Sequence, residues 1–451
     1  MNPLDVLFSL SFVFLVMFLS YTTLIVVPFV RRRRAHGGDP RAFEWHAFIP
    51  CRDEAAVIAE TLTRMRERFP HVHVWIIDDA STDATADIVR SRAERDDHVH
   101  LVARVLPEAR TGKGDALNAA YRHLTEWRRA RPGAIAPERV VVGIVDADGR
   151  LADNTLAAIA GPAAFGLDEI GAAQITVRMS NLRQRYRQQS PVVRSWKRFL
   201  VCMQDLEFRT IVAGMQSLRA RTGTVGMGGN GQFSRLRVLD ELDCEFGSPW
   251  HGSLLEDYEM GVHVLLRGWE SAHVHSTYVS QEAVEDLPRL LTQRTRWAQG
   301  NIQCLSYLPR MRRSVHVSPP GVMESAYYLL LPYTQIVVIC AWIIQLGVVA
   351  AAVFARGPVP LGLSDVLTQL SMFLLGIIPF AMWGPIYKSQ CEPGLSWPAA
   401  VGIGLLVFVY TSYVLITTPR AMLRASRGKT TWSKTRRNAE NLTIGGVAHE
   451  V

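Results

Sequence analysis

The residues best placed to do chemistry in this chain are Gln293, Arg296 and Trp297. They stand at i, i+3 and i+4, on one face of a helix. That face offers an amide, a permanent cation and a flat indole to one pocket. An indole suits stacking on a sugar ring, and a guanidinium takes phosphate oxygens in a fork. By itself the same pattern also fits an ordinary amphipathic helix with a half-buried Trp. Acidic groups upstream change the balance. Asp78-Asp79 follows Trp75-Ile76-Ile77, and Asp146-Ala147-Asp148 follows Gly143-Ile144-Val145. Asp146 and Asp148 bracket a small residue, so both carboxylates can turn the same way round a tight bend. Two hard oxygens held close suit Mg²⁺ or Mn²⁺, whose remaining ligands come from water and substrate phosphate.

Glu256-Asp257 precedes an apolar helical run, Tyr258 to Leu266. Acids there fit either the first turn of a helix or a general base in a cleft. Gly226 to Phe233 is a glycine-rich loop whose backbone can approach a ligand closely, yet it lacks the dinucleotide fingerprint. Lys113, in Thr111-Gly112-Lys113-Gly114-Asp115, could meet a phosphate, although P-loop spacing is absent.

Elements that can position these groups are legible. Glu44 to Pro50 reads as a strand, Glu54 to Arg68 as an amphipathic helix, and His71 to Ile77 as a second strand. Asp83 to Ala93 reads as helix, Val99 to Val105 as strand, and Gly114 to Arg129 as helix. Val140 to Val145 is a β-branched run of the kind buried on both faces. Alternating strands and helices predict an α/β fold with a mostly parallel sheet. Ligands gather beyond the carboxyl ends of such strands, where the paired acids fall.

The 451 residues carry a net charge of +8. Leu4 to Val30, Tyr327 to Phe354, Val366 to Tyr387 and Pro398 to Thr418 are apolar enough to cross a bilayer, which takes about 20 helical residues. The expected division is an anchor with its basic stop at 1–34, a catalytic domain at 41–318, interfacial and membrane helices at 319–419, and a basic tail at 420–451. Arg31 to Arg34 directly after the first span places that end, and so the large domain, on the cytoplasmic side. The basic tail argues for the cytoplasm as well, whereas four spans would put it outside; a re-entrant segment or a turn hidden in Tyr327 to Phe354 would reconcile the two. Six scattered cysteines with no CxxC pair indicate neither disulfides nor zinc. The basic excess suits an anionic membrane surface and a phosphorylated substrate; no aromatic-basic motif points to nucleic acid. A transporter is disfavoured, because the apolar spans carry almost no ionisable groups.

Taken in order, Ile49 to Glu54, Asp78 to Asp83, Lys113 to Asn118, Asp146-Ala147-Asp148, Gly228 to Gly231, Glu256-Asp257 and Gln293 to Trp297 resemble the family 2 glycosyltransferases. The resemblance is strongest to their membrane-embedded, polysaccharide-synthase-like branch, and it runs from Phe48 to about Gln303. It implies a GT-A fold and an inverting, metal-dependent transfer from a nucleotide sugar, with a UDP-sugar as the expected donor. Asp79 would then contact the base, with Pro50, Arg52 and Glu54 lining the same pocket and Lys113 near the donor. Asp146 and Asp148 would hold the metal–diphosphate, Asp257 would deprotonate the acceptor, Gln293 and Arg296 would steady the diphosphate, and Trp297 would stack the acceptor. Gly-Asn-Gly-Gln at the loop departs from the Cys-Gly or Gly-Thr variants common in synthases, which weakens the reading of the acceptor. A growing polysaccharide is the first expectation and a membrane lipid the alternative; a membrane protein that binds nucleotide sugars without turnover is the rival from another class.

Overall fold

The computed structural model describes residues 3–33, 35–184, 186, 189–356 and 376–428. Eight strands form one sheet: β1 (Glu44–Cys51), β2 (His73–Asp79), β3 (Val99–Arg104), β4 (Val140–Ile144), β5 (Arg150–Leu151), β6 (Ile170–Met179), β7 (Gln232–Arg235) and β8 (Glu270–Gln281). Their order is β3-β2-β1-β4-β7-β6-β8-β5. The β1–β2, β2–β3, β1–β4 and β6–β8 ladders are parallel; β7 runs antiparallel to both β4 and β6, and β5 to β8. The α/β, mostly parallel architecture expected from the sequence is therefore present, with an antiparallel strand inserted after β4.

Side chains alternate faces along a strand, and here both faces are covered. Ala47, Ile49, Ile76 and Val141 pack on one side with Ile58, Leu62 and Met65 of helix Ala55–Arg68. Phe48, Trp75, Ile77, Val142 and Ile144 pack on the other, with Leu117 and Leu124 of helix Lys113–Arg129 and Met260 and Val264 of helix Glu256–Leu266. Each fully buried Phe or Ile contributes about 1.5–3 kcal/mol. Because β1, β2 and β4 are parallel, the residues after Cys51, Ile77 and Ile144 emerge at the same edge. The start of β7 joins them, since Gln232 lies opposite Ile144.

Among the described residues, two helical stretches are long and apolar enough to cross a membrane, Phe12–Val30 and Trp397–Ser426. The second comprises helices Trp397–Thr411 and Val414–Ser426. Tyr327 to Phe354 conceals no turn: it lies within one helix, Pro319–Arg356. Residues 366–375 of the apolar segment Val366 to Tyr387, and 429–451 of the basic tail, lie outside the described residues. A separate apolar cluster, including Ile25, Phe29, Leu200, Met203, Trp383, Val407 and Tyr410, seats the apolar helices against helix Pro191–Leu206. That helix passes into a π-helical segment, Glu207–Val212, and then helix Ala213–Thr222.

Candidate active site

The bend after β4 is held from three sides. The Gly149 N–H donates to the Asp146 carbonyl at 2.7 Å, the Thr61 hydroxyl donates to the Ala147 carbonyl at 2.6 Å, and the Asp146 N–H meets Asn230 Oδ1 at 3.2 Å. A Cβ on Gly149 would sit 2.6 Å from Val145 Cγ1, so only glycine closes this turn. Asp148 Oδ2 accepts the Glu282 N–H at 2.8 Å. The Asp148 carboxylate and the Asp146 main chain are thus fixed at the sheet edge.

Lys113 is the first residue of its helix, and its Nζ lies 2.8 Å from Asp146 Oδ1 and 2.7 Å from the Gly229 carbonyl. A Cβ on Gly229 would come within 2.9 Å of that ammonium and 3.1 Å of Asp257 Oδ2. Residues 146, 113, 229 and 257 therefore touch in sequence across one crevice. Gln174, mid-strand in β6, holds the glycine loop in place: its Oε1 accepts the Gly228 N–H at 2.7 Å and its Nε2 donates to the Asn230 carbonyl at 2.9 Å. Sequence reasoning passed over Gln174, although one amide inside Ile170 to Ile175 was a visible signal.

Electrostatics bind the cluster further. Burial, then the charge of Asp257, pushes Glu256 up to about 7. Burial also raises Asp257, with Lys113 and Arg296 holding it back. Burial depresses Arg296, opposed by Glu256, Asp257 and Asp146. For Lys113, burial works downward, but Asp146, Glu256 and Asp257 outweigh it and its affinity for the proton rises. Two acids and two cations thus share a desolvated volume.

The remaining expected residues sort less tightly. Asp79 ends β2, where Arg104 Nη1 and the Arg110 N–H, at 2.9 Å, both donate to its Oδ1. The sequence did not single out Arg104 and Arg110, which fix this carboxylate. Pro50 lies in β1 opposite Ile77, Arg52 just beyond the strand with its Nε 4.0 Å from Asp53, and Glu54 is buried with its N–H on Thr85 Oγ1. Cys51, between Pro50 and Arg52, pairs with Asp78, so this stretch stands beside the end of β2. Gln293, Arg296 and Trp297 stand on helix Leu287–Cys304, each half-buried. Arg296 joins the carboxylate cluster. Trp297 instead meets Phe208 edge-on at 6.1 Å and lies under Arg294, 4.3 Å from its ring.

Residues 42–300 match the family described as glycosyltransferase like family 2, more than half of the chain. The chain belongs to that family. It is 26% identical over 263 residues to the beta-monoglucosyldiacylglycerol synthase of Nostoc sp., covering 56% of this chain and 48% of that protein. Over 74 residues it is 36% identical to the undecaprenyl-phosphate mannosyltransferase of Micrococcus luteus, covering 16% of this chain and 29% of the other. The chain spans about half the length of the first of these relatives. Among solved structures, a mannosyltransferase from Pyrobaculum calidifontis, in complex with GDP-Man and Mn²⁺, superposes with a TM-score of 0.59 at 19% identity. The match covers 94% of this family 2 chain and 99% of that one, and it supports the GT-A-like fold.

Proposed function

We propose that this family 2 glycosyltransferase moves one sugar, with inversion, from a nucleoside diphosphate donor to a membrane lipid. The observation that carries the transfer is the continuous run of Asp146, Lys113, Gly229 and Asp257 in one crevice, with Arg296 coupled to its acids. The lipid acceptor, the second of the two sequence expectations, gains weight over polysaccharide because relatives over the same region are named for glucosyldiacylglycerol synthesis. A UDP-sugar remains the preferred donor, with GDP-sugars the natural comparison.

In this reading the acceptor hydroxyl approaches Asp257, whose buried carboxylate takes its proton as the oxygen attacks the anomeric carbon. The bond from that carbon to the diphosphate oxygen breaks on the opposite face. Lys113 and Arg296 meet the negative charge that grows on the departing diphosphate, in a setting where burial strengthens their effect. Asp79, with Pro50, Arg52 and Glu54 around it, takes the base end; Gln293 steadies the diphosphate and Trp297 stacks the acceptor. Asp146 and Asp148 fit a hard divalent ion, Mg²⁺ or Mn²⁺, as two carboxylates on one rigid turn. Among the described residues no group of three or more such donors forms a closed metal site, so donor phosphates would complete the shell. The ion would supply charge neutralisation at the leaving group.

The location we propose is the plasma membrane, with several spans, the catalytic domain cytoplasmic at 41–318, helices at 319–419 and a basic tail after them. Incubation of the purified chain with Mn²⁺, a panel of UDP- and GDP-sugars, and either diacylglycerol or an oligosaccharide tests the function. A glycolipid carrying one added hexose is the expected product. A long saccharide ladder without glycolipid would restore polymer synthesis, and donor binding without any product would mark a binding protein.

A further inference from the structure

Arg296 and Trp297, adjacent on helix Leu287–Cys304, meet different surroundings. Arg296 joins the carboxylate cluster, whereas Trp297 lies against Arg294, three residues before it on the same face. The Arg294 guanidinium stands 4.3 Å from the centre of the Trp297 ring, and Phe208 meets the same indole edge-on at 6.1 Å. Phe208 and Glu207 open the π-helical segment Glu207–Val212. Such segments are rare and recur at functional sites. Here two successive residues of the segment serve neighbours one turn apart on the facing helix. Phe208 takes the indole, and Glu207 Oε2 accepts from Arg294 Nη2 at 2.6 Å.

The Glu207 carboxylate also gathers the C-terminal apolar helices. It accepts from the Tyr410 hydroxyl at 2.8 Å and from the Tyr413 hydroxyl at 3.3 Å. Tyr410 stands in the last turn of helix Trp397–Thr411, and Tyr413 two residues beyond its end. Two residues past Trp297, Gln299 Oε1 accepts from Arg424 Nε of helix Val414–Ser426 at 2.9 Å. Trp297 is thus flanked in sequence by two ties to this region. Stability alone does not call for the buried pair, because desolvation leaves it near break-even with apolar packing of the same volume. What the pair supplies is direction. The long Arg294 side chain is held in one place by Glu207, and the indole, with only two side-chain torsions, is then set by Arg294 on its face and Phe208 at its edge.

We infer that Glu207 is a positioning residue for the acceptor: its carboxylate holds Arg294 against Trp297 and so fixes the surface on which the acceptor stacks. This rests on the reading of Trp297 as the acceptor's stacking residue.

The test uses the full-length chain in detergent, with dihexanoylglycerol as acceptor and the donor selected from the panel of UDP- and GDP-sugars. Glu207→Gln keeps an acceptor for both tyrosines but removes the charge that holds Arg294. Its KM for dihexanoylglycerol should rise about ten-fold with kcat within about two-fold of the parent, the pattern of lost uniform binding. Donor affinity by calorimetry should match the parent. The double change Glu207→Gln, Arg294→Met strands no charge, so its unfolding midpoint should match the parent. Its acceptor KM should stay raised, because the indole has lost its backing. An unchanged acceptor KM in either variant overturns the inference. A loss shared by kcat and donor affinity, the mark of a site disturbed at large, overturns it as well. If Glu207→Gln does not fold, the double variant decides alone. Trp297→Ala separates the inference from the reading beneath it. A KM raised there but not in the Glu207 variants overturns the positioning only; a KM unchanged there overturns the stacking role and the positioning together. A parent that extends an oligosaccharide and ignores dihexanoylglycerol overturns the lipid acceptor, and the same variants then decide the positioning on the oligosaccharide KM.

Discussion

At the scale of single residues, the candidate site depends on acids kept close to their protonated forms by burial and ionised by nearby cations. Asp257→Asn removes the proposed base but keeps the side chain's shape and its neighbours. We expect kcat to fall about 10²–10⁴-fold while donor affinity, measured by calorimetry, stays near that of the parent; a near-parental rate would remove Asp257 from the role. The same acids set a pH signature. A base must be ionised to act, so the rate falls as pH drops through the raised pKa of the Glu256–Asp257 pair. The acid limb of kcat/KM should therefore lie above the range of an exposed carboxylate, since burial raises both acids. In Glu256→Gln no second acid competes for negative charge beside Asp257, so the limb should move to lower pH. A limb that does not move in this variant would assign it to another group.

At the scale of elements, the two ends of the sheet have opposite characters. The carboxyl ends of β2 and β4 lead into the acids, whereas the amino ends of β1, β2 and β3 carry stacked imidazoles. His73 Nδ1 lies 3.1 Å from His100 Nε2, Trp75 Nε1 donates to His46 Nδ1 at 3.1 Å, and Glu44 joins His46 to Arg128. Burial and the neighbouring imidazoles push His73 down to about 3; burial, His46 and Arg131 push His100 down to about 4. Between these values and the ordinary 6.5, the unfolded chain binds protons that the folded chain refuses. Stability is thus fully present above about 6.5 and lost progressively as pH falls toward 3. Urea midpoints taken from pH 7.5 to 4.5 should decline, and the decline should shrink in His73→Phe; an unchanged slope would exclude the cluster.

The strands that hold the acids were legible because β-branched runs such as Val140 to Val145 carry no polar break. The residues that steady them were not. Asp78 and Asp79 read as a turn after the strand, yet both pair with β3, opposite Ala103 and Arg104, and so belong to β2. Gln174 binds a loop 54 residues away, and no local pattern announces a partner at that distance. The π-helical segment Glu207–Val212 was equally hidden: no part of the sequence reading reached it. Asp146, Asp148, Asp257 and Arg296 were singled out from type, order and the family resemblance, and the fold sets Asp146, Asp257 and Arg296 near one another.

At the scale of the whole molecule, buried ion pairs join the helices beside the sheet to the apolar helices. Glu207 accepts from Arg294 at 2.6 Å and from Tyr410 at 2.8 Å. Arg209 bonds Asp205 at 2.9 Å and Glu392 at 2.7 Å. Arg219 Nε bonds Glu324 Oε1 at 2.7 Å, and Tyr21 of the first apolar helix reaches the same oxygen at 3.3 Å. Desolvation makes such pairs poor sources of net stability, but losing one partner strands a charge in the interior. The third pair offers the cleanest test, because both of its side chains are nearly inaccessible, at 6% and 4%, and neither belongs to the transfer chemistry. Glu324→Ala should cost about 3–5 kcal/mol by abandoning Arg219, read as a lowered unfolding midpoint in detergent. The double change Arg219→Met, Glu324→Leu replaces both charges with apolar volume and should recover most of that loss. If the single change is neutral, the pair does not hold the two halves together; if the double variant is no better than the single one, packing around Glu324 matters more than its charge.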